Sequence, residues 1–280
     1  MISPQTTTRV AFQGDLGAFS EEAVATLWPD AEPVSLRTVA DVARAVSSGR
    51  ADAGVLPVEN TVAGGVLAAY DAIADAPNVY AVAERIHRIC QCLLAPANAT
   101  LAGLEVVESH PVALAQCSAF LARISHVRAQ ASWDTAGAAR AVAESGDTRR
   151  AAIASSRAAE RYGLTILAEN IEDRSDNQTR FLAIAREPAR LDRDIPARTT
   201  LVFTTVDEPG ALMRALEPIA LQGLNLTRIE SRPTGEPWIY RFFADIDHHA
   251  GDPRLDAALG TLKDTTRTCR ILGTYARAIT

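Results

Sequence analysis

The sequence predicts an α/β protein of two lobes followed by a smaller βαββαβ unit. Three observations carry this. Short apolar runs alternate with helical apolar stripes from Arg9 to Gly163. Residues 79–95 and 176–181 read as crossings of the chain between two such lobes. Residues 186–198 are charged, hold Pro188 and Pro196 and lack apolar periodicity, so they read as a linker to a last unit of about 80 residues. The expected division is a two-lobed domain over 1–190 and a tail over 198–280. Lobe one takes about 1–84 and 176–190, and lobe two about 85–175.

In the first lobe, Arg9-Val10-Ala11-Phe12 is a strand ended by Gly14. A helix follows Ser20, whose hydroxyl is expected to cap it, with Glu21 and Glu22 in the positive first turn. Ala23, Val24, Leu27 and Trp28 form its apolar stripe. Thr38 opens a second helix with Asp41 three residues on, Val39, Val42 and Val46 inward, and Gly49 as its stop. Gly54 to Val58 is a strand running into Glu59-Asn60-Thr61, and a helix with Val66, Leu67, Tyr70 and Ile73 comes next. The crossing holds two extended pieces, Val79–Ala83 and Ile86–Leu94.

The second lobe repeats one pattern three times, a strand emptying into small hydroxyl residues at a helix start. Leu104–Val107 leads to Ser109-His110-Pro111 and a helix with Leu114, Cys117 and Leu121. Val127–Gln130 leads to Ser132-Trp133-Asp134-Thr135 and a helix around Ala138–Ala143. Ala151–Ala154 leads to Ser155-Ser156 and a helix through Tyr162, with Gly163 after it. Each hydroxyl alone suits a helix cap. Several of them on two lobes favour a cleft for a small anion, because ligands of open α/β sheets sit beyond the carboxyl ends of strands, where helix N-termini present N–H groups.

In the tail, Thr199–Val206 is a strand, 207–210 a loop, and Leu212, Leu216, Ile219 and Ala220 stripe a helix closed by Gly223 and kinked at Pro218. Leu224–Arg232 and Trp238–Ile246 are strands joined through 233–237. A helix with Leu255, Leu259 and Leu262 and a strand from Arg270 to Tyr275 complete a ferredoxin-like order.

Composition narrows the chemistry. A net charge of -6 disfavours nucleic acid and anionic membranes as partners. Lys263 is the only lysine and follows no Gly-rich loop, so neither a Schiff-base nor a phosphate-loop lysine is expected. No signal peptide is visible, no apolar run approaches the ~20 residues needed to span a bilayer, and Cys90, Cys92, Cys117 and Cys269 do not resemble a disulfide framework. A reducing cytoplasm is the expected compartment. His87, Cys90 and Cys92 are too few for a closed metal site, and the alternating cysteines read as one face of a buried strand. His248-His249 reads as a polar loop.

Asp176-Asn177-Gln178-Thr179-Arg180-Phe181 is an unusual polar lead into the apolar run Phe181–Ile184. With Gly14-Asp15-Leu16-Gly17-Ala18-Phe19-Ser20, Pro57-Val58-Glu59-Asn60-Thr61, Ser109-His110-Pro111, Gln116-Cys117 and Asp134-Thr135-Ala136, it resembles the prephenate dehydratase family in order and spacing. The tail resembles that family's ACT regulatory domain through Gly210-Ala211-Leu212 and Glu230-Ser231-Arg232-Pro233. No helical chorismate mutase segment precedes Arg9, so the resemblance is to a monofunctional form. Asp15 and Ala18 depart from the family's first motif, which usually reads Gly-Pro-x-Gly followed by Ser or Thr.

The resemblance implies conversion of prephenate to phenylpyruvate, water and carbon dioxide, without cofactor or metal. It implies a site between lobes like those of type II periplasmic binding proteins. It makes Thr179 the principal catalytic residue, with roles for Asn60, Ser109 and Gln116. Substrate-binding candidates beside them are Ser20, Glu59, Thr61, Thr135, Ser155, Arg180 and Phe181. Glu59 is expected as a buried orienting carboxylate, and Arg180 either clamps a substrate carboxylate or braces the lobes. In the tail the resemblance implies feedback by phenylalanine, bound near Gly210, Ala211, Leu212, Asn225, Leu226, Glu230 and Ser231, and a homodimer or homotetramer paired through ACT domains. Two other readings stay open: arogenate dehydratase on the same fold, and a non-catalytic sensor of a small anion or amino acid.

Overall fold

The computed structural model describes residues 8–236 and 239–278. Lobe one is built from β1 (Arg9–Gln13), α1 (Phe19–Leu27), β2 (Glu32–Leu36), α2 (Val39–Ser47), β3 (Ala53–Asn60), the short β4 (Gly64–Gly65), α3 (Leu67–Asp75) and β5 (Tyr80–Arg88). Lobe two follows with β6 (Cys92–Ala95), β7 (Val106–Ser109), α4 (Pro111–Gln116), α5 (Ser118–Arg123), β8 (Arg128–Ala131), α6 (Thr135–Ser145), β9 (Arg150–Ala154), α7 (Ser156–Tyr162) and β10 (Thr165–Ala168). The chain then returns as β11 (Gln178–Ala185) into the middle of the first sheet, whose order is β2-β1-β3-β11-β5, with β4 on β3. The second sheet runs β10-β6-β9-β7-β8, the same winding read from the other edge. The last unit is β12 (Pro196–Thr204), α8 (Ala211–Leu221), β13 (Asn225–Pro233), β14 (Tyr240–His249), α9 (Pro253–Thr265) and β15 (Thr268–Ala276). Its antiparallel sheet has the order β13-β14-β12-β15, the ferredoxin-like arrangement.

Several local expectations change. Ser20 does not cap α1. The cap position is Ala18, without a side-chain bond, and Ser20 lies buried in the first turn. Glu21 takes over the end of the helix, its Oε2 accepting from the Gly17 N–H, and capping passes from hydroxyl to carboxylate again at Asp134, whose Oδ1 accepts from Gly137 N–H. Thr38 and Ser155 are caps as expected. The crossing over 79–95 breaks at 89–91, so Cys90 lies in a link and not on a strand face. The helix after Pro111 divides at Cys117. His248 and His249 lie at the end of strand β14 and not in a loop, with His248 Nε2 2.9 Å from the Thr199 hydroxyl. Helix α8 remains helical through Pro218, with Ala211, Ala215, Pro218 and Ile219 as its buried face; Ala220, expected in the stripe, is exposed. Trp238, the expected start of β14, lies outside the described residues.

The third sheet packs directly on lobe one. Phe243, Leu272 and Tyr275 share a core with Leu56, Val58, Tyr70, Leu182 and Ile184. The approach is so close at Gly273 that a Cβ there would collide with the Ala81 backbone. The two lobes are held together at the other end of the cleft by the loop before α1. Asp15 N–H donates to Asp134 Oδ2 at 3.1 Å, Ser155 Oγ to Gly17 O at 2.6 Å and Tyr162 OH to Leu16 O at 2.6 Å. Gly17, at φ +92°, lets that loop meet Ala158 of α7; any side chain there would strike its backbone. Asp15, where the family usually has proline, supplies an interlobe N–H that proline lacks, and its carboxylate pairs with Arg140 at 3.0 Å.

Candidate active site

Between the lobes lies a cavity of about 290 Å³ lined from both sides. Strand β3 delivers Asn60 as its last residue, opposite Thr179 at the start of β11, and α4 delivers Gln116 as its last. These side chains are joined. Asn60 Oδ1 accepts from the N–H groups of Val62 and Ala63 at 3.0 and 2.8 Å, which fixes the orientation of its amide. Its Nδ2 then points at Asn177 Oδ1 (2.8 Å), Gln178 O (3.0 Å) and Thr179 Oγ1 (3.0 Å). Asn177 Nδ2 continues to Gln116 Oε1 at 3.1 Å. Thr179 Oγ therefore accepts from Asn60, and its own proton is left for the cavity that the residue lines.

Strand alternation sorts the neighbours of Thr179. Successive side chains of a strand point to opposite faces. Thr179 and Phe181 face the cleft, and Arg180 faces the third sheet. Arg180 is 7 % exposed, with Nε 2.8 Å from Glu84, Nη1 2.7 Å from Asp245 and Nη2 2.8 Å from the Tyr275 hydroxyl. Burial opposes its charge, but the Asp245 and Glu84 carboxylates beside it, with the Tyr275 hydroxyl as acceptor, outweigh burial and keep the guanidinium ionised. Burial also pushes the Tyr275 phenol well up, so it stays protonated. Arg198 bridges Glu84 (3.1 Å) and Asp247 (2.6 Å) at the edge of the cluster. Arg180 thus points away from the cavity and ties lobe one to the third sheet, whereas the brace expected from the sequence joined the two lobes to each other.

Of the other expected residues, Ser20, Thr135, Asn60, Gln116, Thr179 and Phe181 line the cavity. Ser109 and Ser155 do not. Ser109 Oγ donates to Ile153 O at 2.6 Å inside the lobe-two sheet, and Ser155 Oγ is taken by Gly17 O. Thr61 pins the start of β11, donating to Asp176 O at 3.1 Å and accepting from Gln178 N–H at 3.0 Å. Glu59 is not buried: its side chain is 48 % exposed, 3.8 Å from Arg180 and outside the cavity lining. Residues passed over as site candidates also lie here: Asn177 ties Asn60 to Gln116, and Gln13, Gln91, His110 and Asp134 line the cavity. His87 pairs with Glu22 at 2.7 Å, and burial holds the Cys92 thiol protonated, pushing it up to about 11.

A second cavity, of about 720 Å³, opens at the start of α8. Gly210, Ala211 and Leu212 line it together with Tyr240, Phe242 and Arg267. Asn225, Leu226, Glu230 and Ser231 do not. They belong to the edge strand β13, on which Asn225 and Ser231 are exposed and Glu230 turns toward Gly65 of lobe one.

Comparison with known proteins agrees with this geometry. Residues 10–189 match the family model for prephenate dehydratase, and residues 199–264 the model for the ACT domain. The chain belongs to the prephenate dehydratase family. Among relatives, "Arogenate dehydratase 2" of Petunia hybrida is 38% identical over 95% of this chain and 71% of its own length. A "Bifunctional chorismate mutase/prephenate dehydratase" of Aquifex aeolicus is 37% identical over 99% and 76%. The crystal structure of a prephenate dehydratase from Arthrobacter aurescens in complex with L-Phe superposes with a TM-score of 0.90 at 35% identity, covering 97% of this chain and 90% of that one. The family is one of enzymes, dehydratases of the lyase type, carrying here the two-lobed α/β domain and an ACT domain.

Proposed function

We propose that the chain removes water and carbon dioxide from prephenate to give phenylpyruvate, on the route to phenylalanine. The observation that carries this is the Thr179 hydroxyl, which accepts from Asn60 and so has its own proton free to meet a leaving oxygen in the cleft. The loss of carboxylate and ring hydroxide forms an aromatic ring, so the reaction has its own driving force and asks only for orientation and help to the departing oxygen. Thr179 donates a hydrogen bond to that oxygen; Asn60 holds Thr179 in place, Asn177 ties Asn60 to Gln116, and Asn60 and Gln116 line the cavity that the substrate enters. No lysine or arginine is among the residues lining the cavity. The substrate carboxylates are met by the first-turn N–H groups of α1 and α6, which a helix cannot satisfy internally, beside Ser20 and Thr135.

The ACT domain binds phenylalanine as a feedback inhibitor in the cavity at Gly210, Ala211 and Leu212, where the helix start receives the amino-acid carboxylate. The protein assembles as a homodimer or homotetramer through its ACT domains. Edge strand β13, with Asn225, Thr227, Ile229 and Ser231 exposed, is the surface suited to pairing. Among the described residues no helix is long and apolar enough to cross a membrane, and a cytoplasmic location is part of this proposal.

The test is direct: purified protein is given prephenate and arogenate side by side, and phenylpyruvate and phenylalanine are followed. Turnover of prephenate with the larger kcat/KM is expected. Turnover of arogenate alone changes the substrate, and binding of either without turnover leaves a sensor. Calorimetry with phenylalanine is expected to show binding that weakens on Gly210→Val. Absence of heat at millimolar phenylalanine removes the regulatory reading.

A further inference from the structure

Gln91 stands in the link between β5 and β6, where the chain passes from one lobe to the other. It is 2 % exposed and lines the cleft. Its backbone is tied down. The N–H donates to Glu172 Oε2 at 2.9 Å, and the carbonyl accepts from Ile171 N–H at 3.0 Å. Its side chain is not: among the described residues the buried amide oxygen has no hydrogen-bond partner. The amides of Asn60 and Gln116 in the same cleft are committed to each other and to Asn177.

A buried acceptor without a partner destabilises the free protein, and it is found in native structures where it has a task. No loop or cap requires the Gln91 side chain, and the cavity is the direction in which it is open. We propose that Gln91 is a substrate-contacting residue, whose uncommitted amide completes its hydrogen bonding on a polar group of the bound substrate. This rests on the dehydratase reading above. The amide suits the task on chemical grounds. Its carbonyl accepts from a hydroxyl or an ammonium, and turned by 180° its NH₂ donates to a carboxylate or keto oxygen. Prephenate presents one such donor, its ring hydroxyl, and several acceptors, so either orientation finds a partner. A neutral group also serves where a carboxylate would repel a dianion.

Gln91→Met keeps the length and removes both polar ends. In the full-length protein we expect kcat/KM on prephenate to fall about 10–100-fold, the range a lost ligand hydrogen bond gives. The melting temperature should hold or rise, because the unpartnered buried atom is gone. Gln91→Glu should lower kcat/KM further, by placing charge against the dianion. Kinetics within twofold of wild type overturn the proposal. So does a lower melting temperature with normal kinetics, the signature of an amide that serves the fold. Wild-type turnover is the control that separates the two readings. If wild type binds prephenate without turning it over, the dehydratase assignment fails, and calorimetric prephenate affinity decides this one, expected at least 10-fold weaker in Gln91→Met. Equal affinity overturns it.

Discussion

Thr179→Ala is expected to lower kcat on prephenate by about 10²–10⁴-fold, the range for a positioned proton donor, with KM little changed. The loss falls on kcat because the hydroxyl acts on charge that develops only as the ring oxygen leaves. Structure should be spared. Thr179 is 8 % exposed and loses one hydroxyl and one methyl, while Asn60 retains Asn177 Oδ1 and Gln178 O as acceptors. Thr179→Ser, which keeps the hydroxyl but frees its rotation, should recover a large part of the rate. Stopped-flow or steady-state kinetics beside a thermal melt read all of this. A folded Thr179→Ala protein with near-normal turnover would remove Thr179 from the chemistry.

Arg180→Leu should act on stability instead. It takes the cation from Asp245, whose side chain is 0 % exposed, and leaves Glu84, 1 % exposed, with Arg198 alone. Removing one member of a buried ion pair costs about 3–5 kcal/mol, because the remaining charge is stranded. At about 2–4 °C per kcal/mol for chains of comparable size, the melting temperature should fall by roughly 10 °C. Arg180→Lys recovers only part, since one ammonium cannot reach carboxylates and phenol in the planar fork of a guanidinium. The kinetic signature separates brace from clamp. Folded Arg180→Leu protein assayed at low temperature should keep its KM for prephenate. A KM raised a hundredfold with an unchanged melting temperature would restore the clamp and contradict the geometry.

Thr179 and Arg180 are neighbours in sequence with opposite surroundings. Both belong to one polar hexapeptide, and both have the chemistry to meet a dianion. Yet adjacent residues of a strand cannot share a face. Once Thr179 was placed at the cleft, Arg180 belonged on the other side, and Asn177, two residues before Thr179, belonged with it. That signal was in the sequence. Other errors had no such signal. Ser109 ends strand β7 and Ser155 directly follows β9, as hydroxyl residues at ligand sites do, but a hydroxyl also satisfies a neighbouring carbonyl, and one sequence does not say which. Glu59 depended on the depth of packing at the sheet end, a tertiary quantity. Gln91 is distinguished by a contact it lacks, and only the full set of neighbours reveals that. The alternation of strands and helices, the linker and the βαββαβ tail were readable because each follows from local periodicity and turn chemistry. Exact ends shifted where carboxylates replaced hydroxyls as caps, at Glu21 and Asp134.

The position of β11 sets an order of events during synthesis. The strand lies between β3 and β5, yet it is made only after all of lobe two has been translated. A nascent chain ending near residue 175 holds β5 with no neighbour across to β3, so its first lobe has an open seam while the second can already close. Lobe two, sequence-contiguous from β6 to β10, is thus the part able to fold first on the ribosome, and insertion of β11 sews the first lobe shut behind it. Thr179, the residue proposed for the chemistry, arrives on that closing stitch. An incomplete chain therefore carries neither a finished first lobe nor Thr179, and catalytic competence appears together with the long-range pairing that completes the sheet.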